Sequence, residues 1–283
     1  RSVPYLFLLP SFGALALFSF IPFLQGLYFS LTKYPLLGSP EFIGLGNFTR
    51  LFSDPLFTAS LRNTLVYMVA TVAFRVIIGL LLAVALNGKI RGRTLFRAIF
   101  YLPVIAPLVT VAVIWRIIFD TYSGVLNAGL DVFGIAPVPW LTSTTWAMPA
   151  IIIMSVWKTF GWNIVIFLAG LQSIPGTLQE AAAIDGASKT QIFFRITLPL
   201  LRPTILLAVV LSTINASQVF DQVYVMTRGG PGYSTMTLGQ MVYTAGFEMH
   251  EMGYASAVAL VLQIITLILP LSHFKPLGKE LRY

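Results

Sequence analysis

The chain is poor in the residues that build catalytic and metal sites. Its 283 residues include no cysteine and only two histidines, and just 10% of them are charged. The lack of cysteine excludes disulfides and thiolate metal sites, and two histidines alone make no ligand cluster. By contrast, 57% of the residues are hydrophobic, which excludes an ordinary soluble domain. The composition therefore predicts an integral membrane protein without a metal site.

Long apolar runs alternate with short polar stretches along the whole chain. A helix needs about 20 mostly apolar residues to cross the hydrocarbon core of a membrane. The runs predict an all-α polytopic membrane protein with six transmembrane helices, organised as a single domain over residues 1–283. Pro103 and Pro107 interrupt the third run and predict kinks there. The predicted spans cover residues 3–31, 61–86, 98–119, 146–171, 203–225 and 254–274.

Lysine and arginine are distributed unevenly between the loops. If both termini face the cytoplasm, that side holds eleven of the 18 basic residues and the opposite side holds five. The densest cluster, Lys89, Arg91, Arg93 and Arg97, follows the second span. Cytoplasmic loops carry an excess of lysine and arginine. Both termini and the loop over residues 173–202 are therefore predicted to be cytoplasmic.

The loop between the fourth and fifth spans contains two sets of helix-start signals. Thr177 is followed by Glu180, and Ser188 by Gln191, each at the spacing of a capping box. Gly186 lies between the two pairs, and glycine adopts the left-handed backbone just past a helix end without a steric cost. The pattern predicts two short helices separated at Gly186, in a protrusion that fits a partner's groove.

The same loop carries a longer motif. Glu180-Ala181-Ala182 is followed after three residues by Gly186, after nine more by Ile196, and after one more by Leu198-Pro199. This motif resembles the coupling loop of permease subunits in binding-protein-dependent ATP-binding cassette importers of the sugar type. The resemblance implies that the loop docks into a cleft of a cytoplasmic ATPase and transmits its closure to the membrane helices. The implied docking residues are Glu180, Ala181, Ala182, Asp185, Gly186 and Ala187.

The resemblance also implies the assembly in which the chain works. The chain has no glycine-rich phosphate loop ending in lysine and serine or threonine, so ATP and Mg are expected on a partner and no cofactor on this chain. The expected partners are a cytoplasmic ATPase dimer, a second permease subunit in a heterodimer, an extracytoplasmic substrate-binding protein and membrane lipid. No nucleic acid is expected. The expected location is the cytoplasmic membrane of a bacterium or archaeon.

Polar side chains repeat along the fourth and fifth spans at intervals of three or four residues, which places them on common helix faces. Hydroxyls and amides can hydrogen-bond to a sugar, and an aromatic ring such as Trp162 can cover its flat face. In the maltose-type permeases of the family, these two spans form the transport site. Interhelical hydrogen bonding without a ligand is the alternative for each residue. The predicted substrate-binding residues are Ser155, Lys158, Thr159, Asn163, Ser212, Asn215, Gln218 and Asp221.

Three charged residues, Arg75, Lys158 and Asp221, are predicted to lie at bilayer depth, where an isolated charge costs about 3 kcal/mol. Lys158 and Asp221 are predicted either to form an ion pair between neighbouring helices or to contact the substrate. Arg75, in the second span, is predicted to be structural.

Other classes of membrane protein fit less well. An intramembrane hydrolase requires paired aspartates, a serine with a histidine or a metal-ligand array within the spans, whereas Asp221 is the only acid there. A secondary transporter usually has more spans and an internal repeat, and no segment resembles a channel filter. The predicted function is not enzymatic. It is ATP-driven import of a carbohydrate or carbohydrate-like solute by alternating access, with glycerol phosphate or a glycerophosphodiester as the alternative cargo.

Overall fold

The structure, a computed structural model, describes residues 3–88 and 91–278, and its regular secondary structure is almost entirely helical. Lys89, from the predicted basic cluster, lies outside the described residues. The helices are α1 Val3–Leu15, α2 Ile21–Ser30, α3 Gly46–Ser53, α4 Pro55–Asn87, α5 Arg93–Ile105, α6 Leu108–Ile118, α7 Val125–Asp131, α8 Ala147–Ser173, α9 Gly176–Ile184, α10 Lys189–Ile192, α11 Leu198–Leu200, α12 Arg202–Ser217, α13 Asp221–Met226, α14 Leu238–Tyr243 and α15 Met252–Gly278. Two short strands, β1 Thr32–Lys33 and β2 Glu41–Phe42, pair antiparallel, and π-helical turns occur at Ala16–Phe20, Phe193–Thr197 and Thr244–Glu248.

Four of the predicted spans are single helical stretches. Those long and apolar enough to cross a membrane are Phe7–Ser30, Pro55–Asn87, Ala147–Ser173 and Met252–Ser272. The second is longer than predicted because its helix begins at Pro55, where the Asp54 carboxylate accepts a hydrogen bond from the backbone N–H of Leu56 at 2.8 Å. The all-α membrane fold is thus confirmed, while the other two predicted spans are bent or interrupted.

The third predicted span is not a straight helix, as its two prolines predicted. Helices α5 and α6 meet at a bend of 97°. The break falls at Ala106 and Pro107, and Ala106 is extended, as expected for a residue that precedes proline. Pro103, the other predicted kink, remains inside α5. The helix therefore breaks at only one of the two prolines.

The fifth predicted span, residues 203–225, is also interrupted. Helix α12 ends at Ser217 and α13 begins at Asp221, with Gln218 to Phe220 outside regular helix. The Thr237 hydroxyl, at the start of α14, donates a hydrogen bond to the carbonyl oxygen of Val219 at 3.1 Å. A broken helix at membrane depth is tolerated where neighbouring groups satisfy its freed backbone or where it lines a cavity. At the other end of α12, the preceding helical stretch Lys189–Leu200 meets it at a bend of 63°.

The core forms where α4, α8 and α12 pack side by side. Ala83, Phe167 and Ala208, one from each helix, lie in a single buried cluster. Glycines on α4 and α8 allow close approach, as small residues do between membrane helices. A Cβ atom on Gly161 of α8 would lie 2.2 Å from the Phe100 carbonyl oxygen of α5. The first span differs, because none of its apolar window is buried against the described part of this chain.

Polar side chains tie together the loops at the end of the bundle away from residues 173–202. Asn47 donates hydrogen bonds to the carbonyl oxygens of Ser30 and Thr32, at 2.9 and 2.8 Å. Arg50 forms an ion pair with Glu251 at 2.8 Å and lies 4.3 Å from the centre of the Tyr254 ring. These contacts hold the β1–β2 and α3 segment against the start of α15.

The predicted orientation can be tested by cysteine labelling, since the native chain contains no cysteine. Single cysteines at Ser39 and Ser123, both exposed, should react from outside with an impermeant thiol reagent, and one at exposed Thr190 should not. Ser234 was the third predicted outside position, but its hydroxyl is buried. The neighbouring Tyr233, with 58% of its surface exposed, is a better position for the third cysteine. Labelling at Thr190 in intact cells would contradict the predicted topology.

Candidate functional site

The helix-turn-helix at residues 173–202 has the predicted break at Gly186. Gly186 has a φ of +82°, the left-handed backbone that follows a helix end. Its N–H donates to the Ala183 carbonyl at 3.1 Å, and the N–H of Ala187 donates to the Ala182 carbonyl at 2.9 Å. This pair of bonds is the Schellman motif, which satisfies the last carbonyls of α9. A side chain at residue 186 would strain the turn, even though no atom of the described residues lies within 4 Å of the position of its Cβ.

One of the two predicted capping boxes is present. The Ser188 hydroxyl accepts a hydrogen bond from the N–H of Gln191 at 3.3 Å, and the Gln191 side chain accepts one from the N–H of Ser188 at 2.8 Å. The box predicted at Thr177 and Glu180 is wrong, because α9 begins at Gly176 with Pro175 as its cap and Thr177 already lies inside the helix. Glu180 therefore has no role in starting α9.

The turn presents a surface that this chain leaves uncovered. Glu180, Ala181, Asp185 and Gly186 are exposed, and Ala182 and Ala187 are half-buried. Ile184, in the middle of this group, has 86% of its surface exposed, and Phe194 on the second helix has 60%. A cavity of about 270 Å³ lies beside the turn, lined by Asp185, Gly186, Ala187, Gln191, Ile192, Arg195 and Ile196. Large apolar side chains around a concave feature are typical of a protein-binding surface.

A second feature lies within the bundle, where the helix breaks described above meet α4 and α8. It consists of two adjoining cavities, a larger one of about 380 Å³ and a smaller one of about 220 Å³, which share the lining residues Arg75, Leu108, Lys158, Thr159 and Asn215. We refer to the pair as the central cavity. All eight residues predicted to bind substrate line it. Asn163 and Ser212 line the larger part, Ser155, Gln218 and Asp221 the smaller part, and Lys158, Thr159 and Asn215 both parts.

Lys158 and Asp221 do not form the ion pair that was one of their two predicted roles. The ammonium of Lys158 instead donates to the carbonyl oxygen of Val104 at 2.9 Å. Val104 lies near the end of α5, where the break at Pro107 leaves carbonyls without helical partners. Among the described residues, the only ion pair joins Arg50 and Glu251. Lys158 thus stabilises the helix break and borders the central cavity at the same time.

Arg75 was predicted to be structural, but it also borders the central cavity. It is 6% exposed, donates from Nη2 to the Ser212 carbonyl oxygen and lines both parts of the central cavity. Tyr67 and Gln222, which also line the cavity and bond to each other at 2.7 Å, were not predicted. The sequence contained a signal for this polar face of α4. Buried polar residues recur along α4 at intervals of three or four, at Ser60, Thr64, Tyr67, Thr71 and Arg75.

The amide of Asn163 and the hydroxyl of Ser212 link α8 and α12 at the cavity wall. The Asn163 Nδ2 atom lies 3.3 Å from Ser212 Oγ, which in turn lies 3.4 Å from Asn163 Oδ1. These long contacts leave both groups capacity for further hydrogen bonds. The indole of Trp162, half exposed, lies at the same cavity.

The profile of a protein family described as "Binding-protein-dependent transport system inner membrane component" matches residues 75–274. This range contains both the exposed turn and almost all of the central cavity. The chain belongs to this family. It is therefore an inner membrane component of an ABC transport system, and the resemblance seen in the loop motif is confirmed.

Individual relatives align with almost the whole length of this chain. It is 38% identical to the probable ABC transporter permease protein YurN of Bacillus subtilis, over 99% of this chain and 98% of the relative. It is 35% identical to the trehalose/maltose transport system permease protein MalF of Thermococcus litoralis, over 96% and 92%. Its fold is similar to a crystal structure of a bacterial ABC transporter involved in the import of the acidic polysaccharide alginate, with a TM-score of 0.87, 26% identity and coverage of 99% and 96%.

Proposed function

We propose that this permease component imports a carbohydrate into the cytoplasm by alternating access, driven by a separate ATPase. The observation that carries the proposal is the central cavity, in which two interrupted helices and α8 gather hydroxyls, amides and one indole ring. Broken membrane helices beside a polar cavity are typical of transport sites. The trehalose/maltose permease and the alginate importer among the similar proteins support a carbohydrate as the cargo.

The chemistry of the cavity suits a polyhydroxylated ring. Asn163, Asn215 and Gln218 each provide both a donor and an acceptor, and Thr159 provides a hydroxyl. Trp162 provides an apolar face against which the C–H groups of a sugar ring can pack. Glycerol phosphate or a glycerophosphodiester is the second candidate cargo, favoured by the two cations Arg75 and Lys158 at the same cavity.

The proposed assembly contains two different permeases, an ATPase dimer and an extracytoplasmic binding protein. The surface around Gly186 and Ile184 is proposed to dock into the ATPase, because no described part of this chain covers its exposed apolar residues. The second permease would complete the central cavity. ATP and Mg would bind to the ATPase, and this chain would carry no cofactor.

Removing polar groups from the central cavity should impair transport without dissociating the complex. Ser155→Ala, Thr159→Ala, Ser212→Ala and Asn215→Ala each remove groups that can bind a sugar hydroxyl. Since one hydrogen bond contributes about 1 kcal/mol, carbohydrate uptake into proteoliposomes should fall about fivefold in a typical variant.

Thr213→Ala is the matched control for these variants. Thr213 is next to Ser212 on α12 and is also buried, but it bonds to the carbonyl of Val209 at 2.8 Å and does not line the cavity. Its uptake should match that of the unmodified complex. Unchanged uptake in all four cavity variants would assign those side chains to helix packing instead.

A further inference from the structure

We propose that the transported carbohydrate carries a single negative charge, which Arg75 and Lys158 recognise in the central cavity. This inference rests on the proposed function and specifies its cargo. It follows from the positions of the charges, from the bonding of each cation and from the balance of charge in the two parts of the cavity.

Arg75 is a buried cation with unused hydrogen-bonding capacity. It lies midway along α4, and only 6% of its surface is exposed. Its Nη2 atom donates to the Ser212 carbonyl oxygen, but its Nε atom is buried without any hydrogen-bond partner. No carboxylate among the described residues is close enough to form an ion pair with it. A buried guanidinium that only a neutral carbonyl satisfies is costly, and that cost falls when an anion binds beside it.

Lys158 supplies a second cation to the same space. It is 7% exposed, and one of its three N–H groups donates to the Val104 carbonyl. Two N–H groups are left to bind a ligand, because an ammonium has three donors and the Val104 contact uses one. Its side chain and that of Arg75 both line the larger cavity.

The charges within the central cavity do not cancel. Among the described residues, the larger part is lined by Arg75 and Lys158 and by no acidic residue. Asp221 lines only the smaller part, so the two parts together contain two cations and one carboxylate. The surplus of one positive charge matches a carboxylate, a sulfonate or a phosphodiester better than a phosphate monoester, which carries a charge of about −1.5 to −2 at neutral pH.

Uptake by the complete complex, reconstituted with its second permease, ATPase and binding protein, tests the inference. Three probes are compared: a trisaccharide of two galactose units and one galacturonate, which carries a single carboxylate, the uncharged galactose trisaccharide of the same linkage, and a glycerophosphodiester. The binding protein should take a charged probe in preference to the neutral trisaccharide. Arg75→Gln, which removes the charge but keeps amide donors, should lower uptake of that charged probe about tenfold and should change uptake of a neutral probe little.

Further variants distinguish the effect of a lost charge on uptake from the effect of a folding defect. Arg75→Lys should recover part of the uptake, and Lys158→Gln provides an independent loss of charge if Arg75→Gln does not assemble. Arg62→Gln, on the exposed side of the same helix and away from the cavity, is the matched control and should leave uptake unchanged.

The outcomes distinguish the inference from the function on which it rests. A complex that imports the neutral trisaccharide and is unaffected by both charge removals would overturn the inference and leave the proposed function intact. Preference for the glycerophosphodiester over the singly charged trisaccharide would keep the charge recognition but change the cargo. Failure to bind or import any carbohydrate, charged or neutral, would contradict the proposed function itself.

Discussion

Replacing Gly186 with proline is expected to abolish substrate-stimulated ATP hydrolysis by the assembled transporter. The φ of Gly186 is +82°, whereas proline fixes φ near −65°, and the substitution also removes the hydrogen bond from this N–H to the Ala183 carbonyl. Backbone strain of this kind costs about 3 kcal/mol, which is enough to lower occupancy of a docked state about a hundredfold. The measurement is ATPase activity of the reconstituted complex, with gel filtration to show whether the ATPase stays bound.

Gly134→Pro is the matched control. Gly134 has a φ of +68°, donates its N–H to the Asp131 carbonyl at 2.8 Å and has no atom near the position of a Cβ. Proline at residue 134 therefore imposes the same local strain in the loop after α7, away from the proposed docking surface. If both variants lost stimulation equally, or if Gly186→Pro kept it, the turn would not be the coupling element.

A bulkier residue at Gly79 is expected to damage both the stability and the transport activity of the protein. Gly79 lies on α4 where that helix contacts α8, and a Cβ atom there would lie 2.6 Å from the Cβ of Asn163. Gly79→Val must separate the two helices, and overpacking of this kind costs about 1–3 kcal/mol. It must also displace Asn163 from the wall of the central cavity.

Thermal unfolding of the purified chain in detergent measures the first effect, and the midpoint should fall by several degrees. Gly13→Val, in the first span, places the same side chain where no atom lies within 4 Å, and its midpoint should be unchanged. Uptake by the complex measures the second effect. A Gly79→Val protein with normal unfolding and normal uptake would show that α4 and α8 tolerate a wider separation.

Local patterns in the sequence were sufficient for the features that depend on a few neighbouring residues. The alternation of apolar runs predicted the all-helical membrane fold. The positions of Gly186 and Ser188 predicted the turn and one cap of the exposed loop, because a left-handed glycine and a capping box are determined within about six residues. The regular spacing of polar residues on the fourth and fifth spans placed eight of them on what proved to be one cavity wall.

Features that depend on contacts between distant segments were predicted poorly. Both Thr177 and Ser188 begin a capping-box pattern, but Pro175 starts α9 earlier than Thr177 would. Both Pro103 and Pro107 can bend a helix, and the break occurs where Lys158, on another helix, satisfies the Val104 carbonyl. Asp221 is the only acid in the predicted spans, yet it does not pair with Lys158.

The sequence by itself therefore determined the class of protein, the membrane helices and the exposed turn, since hydrophobic length and backbone preference are properties of each segment alone. The tertiary structure decided which helices break and which charges remain without a partner. Arg75 shows the reason. Whether a buried guanidinium is structural or available to a ligand depends on the groups that other helices bring to it, here the Ser212 carbonyl but no carboxylate among the described residues.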